Sequence, residues 1–303
     1  MKQTNTYSNY VPCLYLPYLK GSNKLILFFH GNAEDLGISY EMLDHLRTAL
    51  KINVMGIEYP GYGVYEDPEG PSEEKIFQDA DLVYSFVQDM TLLKQKDIIL
   101  LGRSLGSGPS THLASKYEPG GLILMSPYTS MKAVATSKVG WLSVLLAQQF
   151  DNLTKMEQVY CPTFIVHGQK DALIPIEQAQ QLNDACGGPT FMLSPPNMTH
   201  NDFDFYEDLI RPLMKFLVQS NILQSLDDSD EEDSEDEALE ETHDDYAKSE
   251  VVKTKHQKSM SQLDLTINKG YDCLDQLSRT QRLQMEANQV RFSEEFFIPP
   301  RMK

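Results

Sequence analysis

The sequence predicts an α/β fold in which a mostly parallel sheet carries helices on both faces. Three observations point there. Short, continuous apolar runs alternate with amphipathic segments from Tyr10 to about Val218, most of the runs stop at turn residues, and the alternation gives way to charged and amide residues beyond Ser220. The reading is one folded domain over residues 1–220 followed by a tail over 221–303.

Lys24 to Phe29 (KLILFF) is apolar almost throughout and ends at His30-Gly31-Asn32, as expected of a strand buried on both faces. Similar runs follow at Ile52 to Ile57, Ile98 to Leu101, Leu122 to Met125 and Phe164 to Val166, with a shorter one at Thr190 to Leu193. Between them, the periodicity predicts helices over Ser39 to Leu50, Ser72 to Met90, Leu105 to Tyr117, Pro175 to Cys186 and Phe203 to Val218. Val11 to Tyr18 contains two prolines and suits an antiparallel edge strand, where a missing N–H is tolerated. The link from Pro127 to Cys161 carries an apolar segment, Trp141 to Leu146, which fits a small lid. Active sites of parallel sheets lie at the carboxyl ends of strands, so the turns after these runs are the places to search.

Charge narrows the functional classes. The formal net charge is -18, but Asp227 to Asp245 holds 13 of the 44 acidic residues, leaving 31 against 26 basic ones. Such a block repels itself and is expected to stay disordered. No basic face argues for nucleic-acid binding. The four cysteines, Cys13, Cys161, Cys186 and Cys273, are too few and too scattered for a disulfide framework, which suits a reducing, cytoplasmic location. No apolar stretch approaches the length of a transmembrane helix, and Pro12 and Pro17 interrupt any secretory h-region.

The chemistry is carried by Gly102-Arg103-Ser104-Leu105-Gly106, a G-x-S-x-G motif between an apolar strand and a helix. A serine on such a sharp turn is raised above the sheet, and Gly102 and Gly106 relieve clashes with neighbouring backbone. Serine needs a base, and the base needs a carboxylate to fix its tautomer. In this architecture the order along the chain is serine, acid, histidine. Of the seven histidines, His243 and His256 lie in the tail, His45 and His112 on predicted helices, and His30 and His167 precede glycines at strand ends as structural turn residues. His200 remains as the base. Asp171, after the Phe164 to Val166 strand, is the candidate acid, with Asp202 as its rival. An oxyanion needs two donors; the amide of Leu105 is one, and that of Asn32 or, one residue on, Ala33 is the other. No metal or organic cofactor is expected, since no Cys/His cluster suggests a zinc site.

HGNAEDLG (His30 to Gly37), EYPGYG (Glu58 to Gly63), GRSLGSGP (Gly102 to Pro109), SPYTS (Ser126 to Ser130), HGQKDALIP (His167 to Pro175) and THNDF (Thr199 to Phe203) together resemble the intracellular α/β-hydrolases of the Bem46 and ABHD type. The likeness is greatest to the branch that contains protein depalmitoylases and covers roughly Tyr10 to Val218. It implies a serine hydrolase built on Ser104, Asp171 and His200, and that branch implies cleavage of fatty acyl thioesters from protein cysteines. It also implies peripheral membrane contact. Those relatives carry a lipidated cysteine-rich N-terminal segment, whereas here Cys13 alone stands near the start, and the acidic tail is repelled by an anionic leaflet. The family usually places glycine before the histidine; this chain has Thr199.

The expected substrates are therefore an acylated protein or a small ester. A carboxylesterase or lipase acting on small molecules is the rival enzyme, and a non-catalytic module using the acidic tail as its surface is the rival of another class. Ser225, Ser229 and Ser234 precede acids and suit acidophilic kinases, although a solvated, unregulated extension is preferred. Leu274, Leu277 and Leu283 have poor helical periodicity.

Overall fold

Among the described residues, seven strands form one sheet in the order β1-β3-β2-β4-β5-β6-β7: β1 (Cys13–Leu16), β2 (Leu25–Phe29), β3 (Asn53–Ile57), β4 (Ile98–Arg103), β5 (Gly121–Met125), β6 (Thr163–Val166) and β7 (Thr190–Leu193). The structure, a computed structural model, describes residues 10–91, 93–139 and 149–223. The Trp141 to Leu146 segment, the acidic block, the three tail serines and the C-terminal leucines lie outside the described residues.

All neighbouring pairs are parallel except β1 against β3. Val11 to Tyr18 does supply the antiparallel edge strand. The inner strands β2, β4, β5 and β6 are buried along their whole length, whereas β1 and β7 are only partly so, as edge positions require. This is why the inner strands are written as unbroken apolar runs.

The helices are α1 (Leu36–Leu50), α2 (Glu73–Thr91), α3 (Ser107–Lys116), α4 (Met131–Val139), α5 (Asn152–Met156), α6 (Ile176–Ala185) and α7 (Arg211–Gln219). One face of the sheet, with Ile26, Phe28, Ile99, Leu101 and Phe164, is covered by α1 through Leu43, Leu46 and Leu50 and by α7 through Leu213, Phe216 and Leu217. These side chains recur at helical spacings of three and four, so each helix turns one stripe inward. On the opposite face α3 packs over β4 and β5, with α2 and α5 against it. Ile222, which follows the expected boundary at residue 220, belongs to the core as well, and Leu223 packs against it.

Helix starts departed from expectation in three places. α1 begins at Leu36, because the Asp35 carboxylate caps it by accepting from the Ile38 amide at 2.8 Å. The helix after Ser104 opens with a one-turn 3-10 segment, Ser104–Gly106. The last helix opens with a π-helical segment, Phe205–Ile210, whose first amides are accepted by Asp204. The short helices α4 and α5 in the Pro127 to Cys161 link were not anticipated.

The register aligns Phe29 with Gly102, Arg103 with Met125, Met125 with Val166, and Val166 with Leu193. Strand ends are therefore level, and the residue following each parallel strand is polar: His30, Glu58, Ser104, Ser126, His167 and Ser194. The chain leaves β3 on one side of β2 and returns as β4 on the other, so the strand order reverses at the β2/β4 pair. Both Ser104 and the turn at Gly31 emerge there, at the topological switch point.

Candidate active site

At the end of β4 the backbone turns sharply enough to place Ser104 at φ 49°, a left-handed conformation costing about 1–2 kcal/mol for a residue with a side chain. The flanking glycines make the turn feasible. A Cβ on Gly102 would lie 2.2 Å from Ser110 Oγ and 2.3 Å from the Gly106 carbonyl oxygen, and one on Gly106 would lie 2.0 Å from the Phe29 oxygen. Hydroxyls fix the turn from behind: Ser107 Oγ donates to the Ser104 carbonyl at 2.7 Å, Ser110 Oγ to that of Gly106 at 2.8 Å, and Tyr128 OH to that of Leu105 at 3.2 Å.

The loops after β6 and β7 bring two more side chains to the serine. His200 Nε2 is 3.0 Å from Ser104 Oγ, and His200 Nδ1 is 2.7 Å from Asp171 Oδ2. Because the Asp171 carboxylate only accepts, Nδ1 carries the proton and Nε2 is left free to accept one from the hydroxyl. Ser104 and His200 are each 8 % exposed, and the Asp171 side chain is fully buried. Asp171 also closes its own turn, since Oδ1 accepts from the Leu173 and Ile174 amides at 2.8 and 2.9 Å. Burial pushes its carboxyl up, but the hydrogen bonds from His200 and these amides outweigh it and hold the group below the usual carboxylate range. The rival acid Asp202 is exposed and contributes its backbone instead, accepting from the Thr199 amide and donating to Thr199 Oγ1, both at 2.9 Å. Thr199 thus closes the histidine turn with its hydroxyl.

On the other side of Ser104, the turn after β2 is held by a buried network. His30 Nδ1 donates to the Gly31 carbonyl and Nε2 meets Glu58 Oε1, each at 2.8 Å. Glu58 Oε2 accepts from the Leu36 amide at 3.1 Å. Tyr59 OH donates to the His30 carbonyl at 2.9 Å, its phenol kept protonated by burial. Asn32 is exposed in this turn, and its Oδ1 accepts from Tyr62 OH at 2.7 Å. Ala33, beside it, has φ 58°. Leu105 is the second residue of the turn into α3, so its amide is one that a helix start leaves without an internal acceptor.

Four polar residues here, Glu34, Glu58, Arg103 and His167, were not assigned to the site from the sequence. Arg103 ends an apolar strand and Glu58 follows one, and a charge in that position is the signal that marks them. Arg103 Nη2 donates to the His200 carbonyl at 3.2 Å and to Asn201 Oδ1 at 2.9 Å, while Nη1 pairs with Glu34. Burial lowers the Arg103 pKa, opposed by the Asp171 charge. His167 was read as a turn residue; it is fully buried, with Nε2 2.9 Å from the Ile174 carbonyl and 3.4 Å from Asp171 Oδ2. Its pKa is lowered by burial, with the Ile174 hydrogen bond acting against that.

Comparison with known proteins agrees with this architecture. Residues 24–139 match the family model for the α/β-hydrolase fold. Alpha/beta hydrolase domain-containing protein 17B of Homo sapiens is 28% identical over 211 residues, covering 70% of this chain and 72% of that protein. Alpha/beta hydrolase domain-containing protein aho-3 of Caenorhabditis elegans is 31% identical over 209 residues, covering 69% of this chain and 62% of that protein. The Pyrococcus furiosus esterase Pf2001 superposes with a TM-score of 0.59 at 14% identity, over 69% of this chain and 86% of the other. A monoacylglycerol lipase of Paleococcus ferrophilus gives 0.53 at 17% identity, over 69% and 99%. Strand order, the serine turn at the switch point and these likenesses together give the chain the α/β-hydrolase fold, with a sequence similar to proteins of the ABHD type.

Proposed function

We propose that the chain is a serine hydrolase that cleaves acyl esters or thioesters, with palmitoylated protein cysteines as its substrate class. The observation that carries this reading is the unbroken relay from Asp171 Oδ2 through the His200 imidazole to Ser104 Oγ, at 2.7 and 3.0 Å. Ser104 Oγ attacks the acyl carbonyl carbon as its proton passes to His200 Nε2. The electron pair of the carbonyl moves to oxygen, where the Leu105 and Asn32 amides receive the negative charge. Collapse expels the thiolate or alkoxide, which takes the proton from His200. Water then attacks the acyl-Ser104 ester, with His200 again as base, and releases the fatty acid. Asp171 keeps the imidazole oriented and compensates its transient charge.

None of these steps requires a metal or organic cofactor, and none selects the leaving group. The thioester assignment is supported by the six sequence blocks shared with the depalmitoylase branch. Removing an acyl chain embedded in a bilayer suits a cytoplasmic protein in peripheral membrane contact. The test is labelling with a fluorophosphonate probe, followed by side-by-side turnover of S-palmitoylated peptides and short-chain p-nitrophenyl esters. Preferential thioester turnover supports the reading. Turnover of short-chain esters alone replaces it with a carboxylesterase, and absence of labelling replaces it with a non-catalytic module.

A further inference from the structure

Arg103 stands directly before Ser104 and is 8 % exposed. A guanidinium at the end of a strand that is otherwise apolar is costly unless its donors find partners, and here both Nη groups are spent on two different loops. Nη2 reaches the loop after β7, at the His200 carbonyl (3.2 Å) and Asn201 Oδ1 (2.9 Å). Nη1 reaches Glu34 in the loop after β2, and the second oxygen of that carboxylate accepts from the Gly31 amide at 3.1 Å. The packing is close: a Cβ on Gly31 would lie 3.0 Å from Arg103 Nη1. A single planar group therefore joins the segment bearing the proposed base to the segment bearing the proposed oxyanion donor, across the nucleophile that lies between them.

We propose that Arg103 is a positioning residue that sets the spacing between His200 and the Gly31-Asn32 turn, a role that rests on the hydrolase reading above. Both Nη groups face protein groups, so it acts through its neighbours and not on the reacting atoms. The role needs a guanidinium. A planar fork grips two partners at fixed angles, whereas an ammonium is a point charge on a flexible stem. A shift of about 1 Å in either catalytic partner costs on the order of 10²-fold in rate. Both partners act most strongly in the transition state, so the loss falls on kcat rather than KM.

The test uses the full chain, p-nitrophenyl butyrate and a fluorophosphonate probe, with Arg103→Lys, Glu34→Gln, the double variant and Arg103→Ala. The expected result in Arg103→Lys is a kcat lower by on the order of 10²-fold, with KM within about threefold of the parent. Glu34→Gln lowers kcat in the same way, and the double variant is scarcely worse than either single one, because both cut one link. Added guanidinium partly restores kcat in Arg103→Ala. A folded Arg103→Lys chain with unchanged kcat overturns the proposal, as do strictly additive losses in the double variant. Should Arg103→Lys fail to fold, the near-isosteric Glu34→Gln decides, and wild-type kcat in that chain overturns it. Failure of the unaltered chain to label or hydrolyse is a separate outcome: it removes the hydrolase reading itself, and the positioning role with it.

Discussion

At Asp171 one carboxylate does two jobs, although the sequence pointed to it only as the candidate acid. Oδ1 caps a turn while Oδ2 orients His200. Asp171→Asn keeps the shape and the capping oxygen but presents a neutral partner to Nδ1, which disfavours the productive tautomer and the transient imidazolium. The expected loss in kcat is on the order of 10³- to 10⁴-fold, with a modest fall in melting temperature from the lost charge, checked by ester kinetics alongside thermal unfolding. Gly106 makes the opposite prediction. A Cβ there meets the Phe29 carbonyl at 2.0 Å, which is backbone and cannot rotate away, so Gly106→Ala should destabilise the chain by about 3 kcal/mol or more in denaturant titration. Ser104, Gly102, Gly106 and His200 were legible because a sharp strand-to-helix turn has few solutions and because position eliminates the other histidines. Arg103, Glu34 and Glu58 were not. The partners that tie them to the site lie far away in sequence, and no local pattern reports a contact between residues 103 and 200.

Elements divide in the same manner. The inner strands could be read from the sequence because burial on both faces leaves an unbroken apolar run, and the amphipathic helices because one face alone is buried. Helix starts were harder, since they depend on caps and on non-α turns: Asp35 extends α1 upstream through a region containing Gly37, and Asp204 begins a π-helical segment before α7. The brief helices α4 and α5 are too short to establish a period. α7 binds the sheet through Leu213, Phe216 and Leu217, and Leu213 is fully buried. Leu213→Ala should therefore cost about 2–5 kcal/mol through lost burial and the cavity left behind. Urea unfolding measures this directly, and a cost below about 1 kcal/mol would mean that α7 does not close that face of the core.

Across the whole molecule, acid should weaken the fold, through groups whose folded pKa is depressed. His167 is lowered from 6.5 by burial, so its contribution is complete above pH 6.5 and is lost as pH falls through the lower folded value. Asp171 behaves likewise within the carboxylate range, with stability complete above 3.8 and lost at more acid pH. His167→Gln keeps a donor for the Ile174 carbonyl without a titrating ring. Its melting temperature should fall less than that of the parent between pH 7.5 and 5.5, and parallel profiles would show that the buried imidazole is not the group responsible. The alternation of elements let the sheet be placed in the sequence, and the level strand ends explain why the residues following β4, β6 and β7 meet at one rim. The account turns on whether that meeting makes Ser104 a nucleophile. Mass-spectrometric mapping of a fluorophosphonate adduct tests this most directly: the account predicts modification at Ser104, loss of labelling in Ser104→Ala, and a fall in ester turnover of at least about 10³-fold. An adduct on another residue, or unchanged turnover in Ser104→Ala, would contradict it.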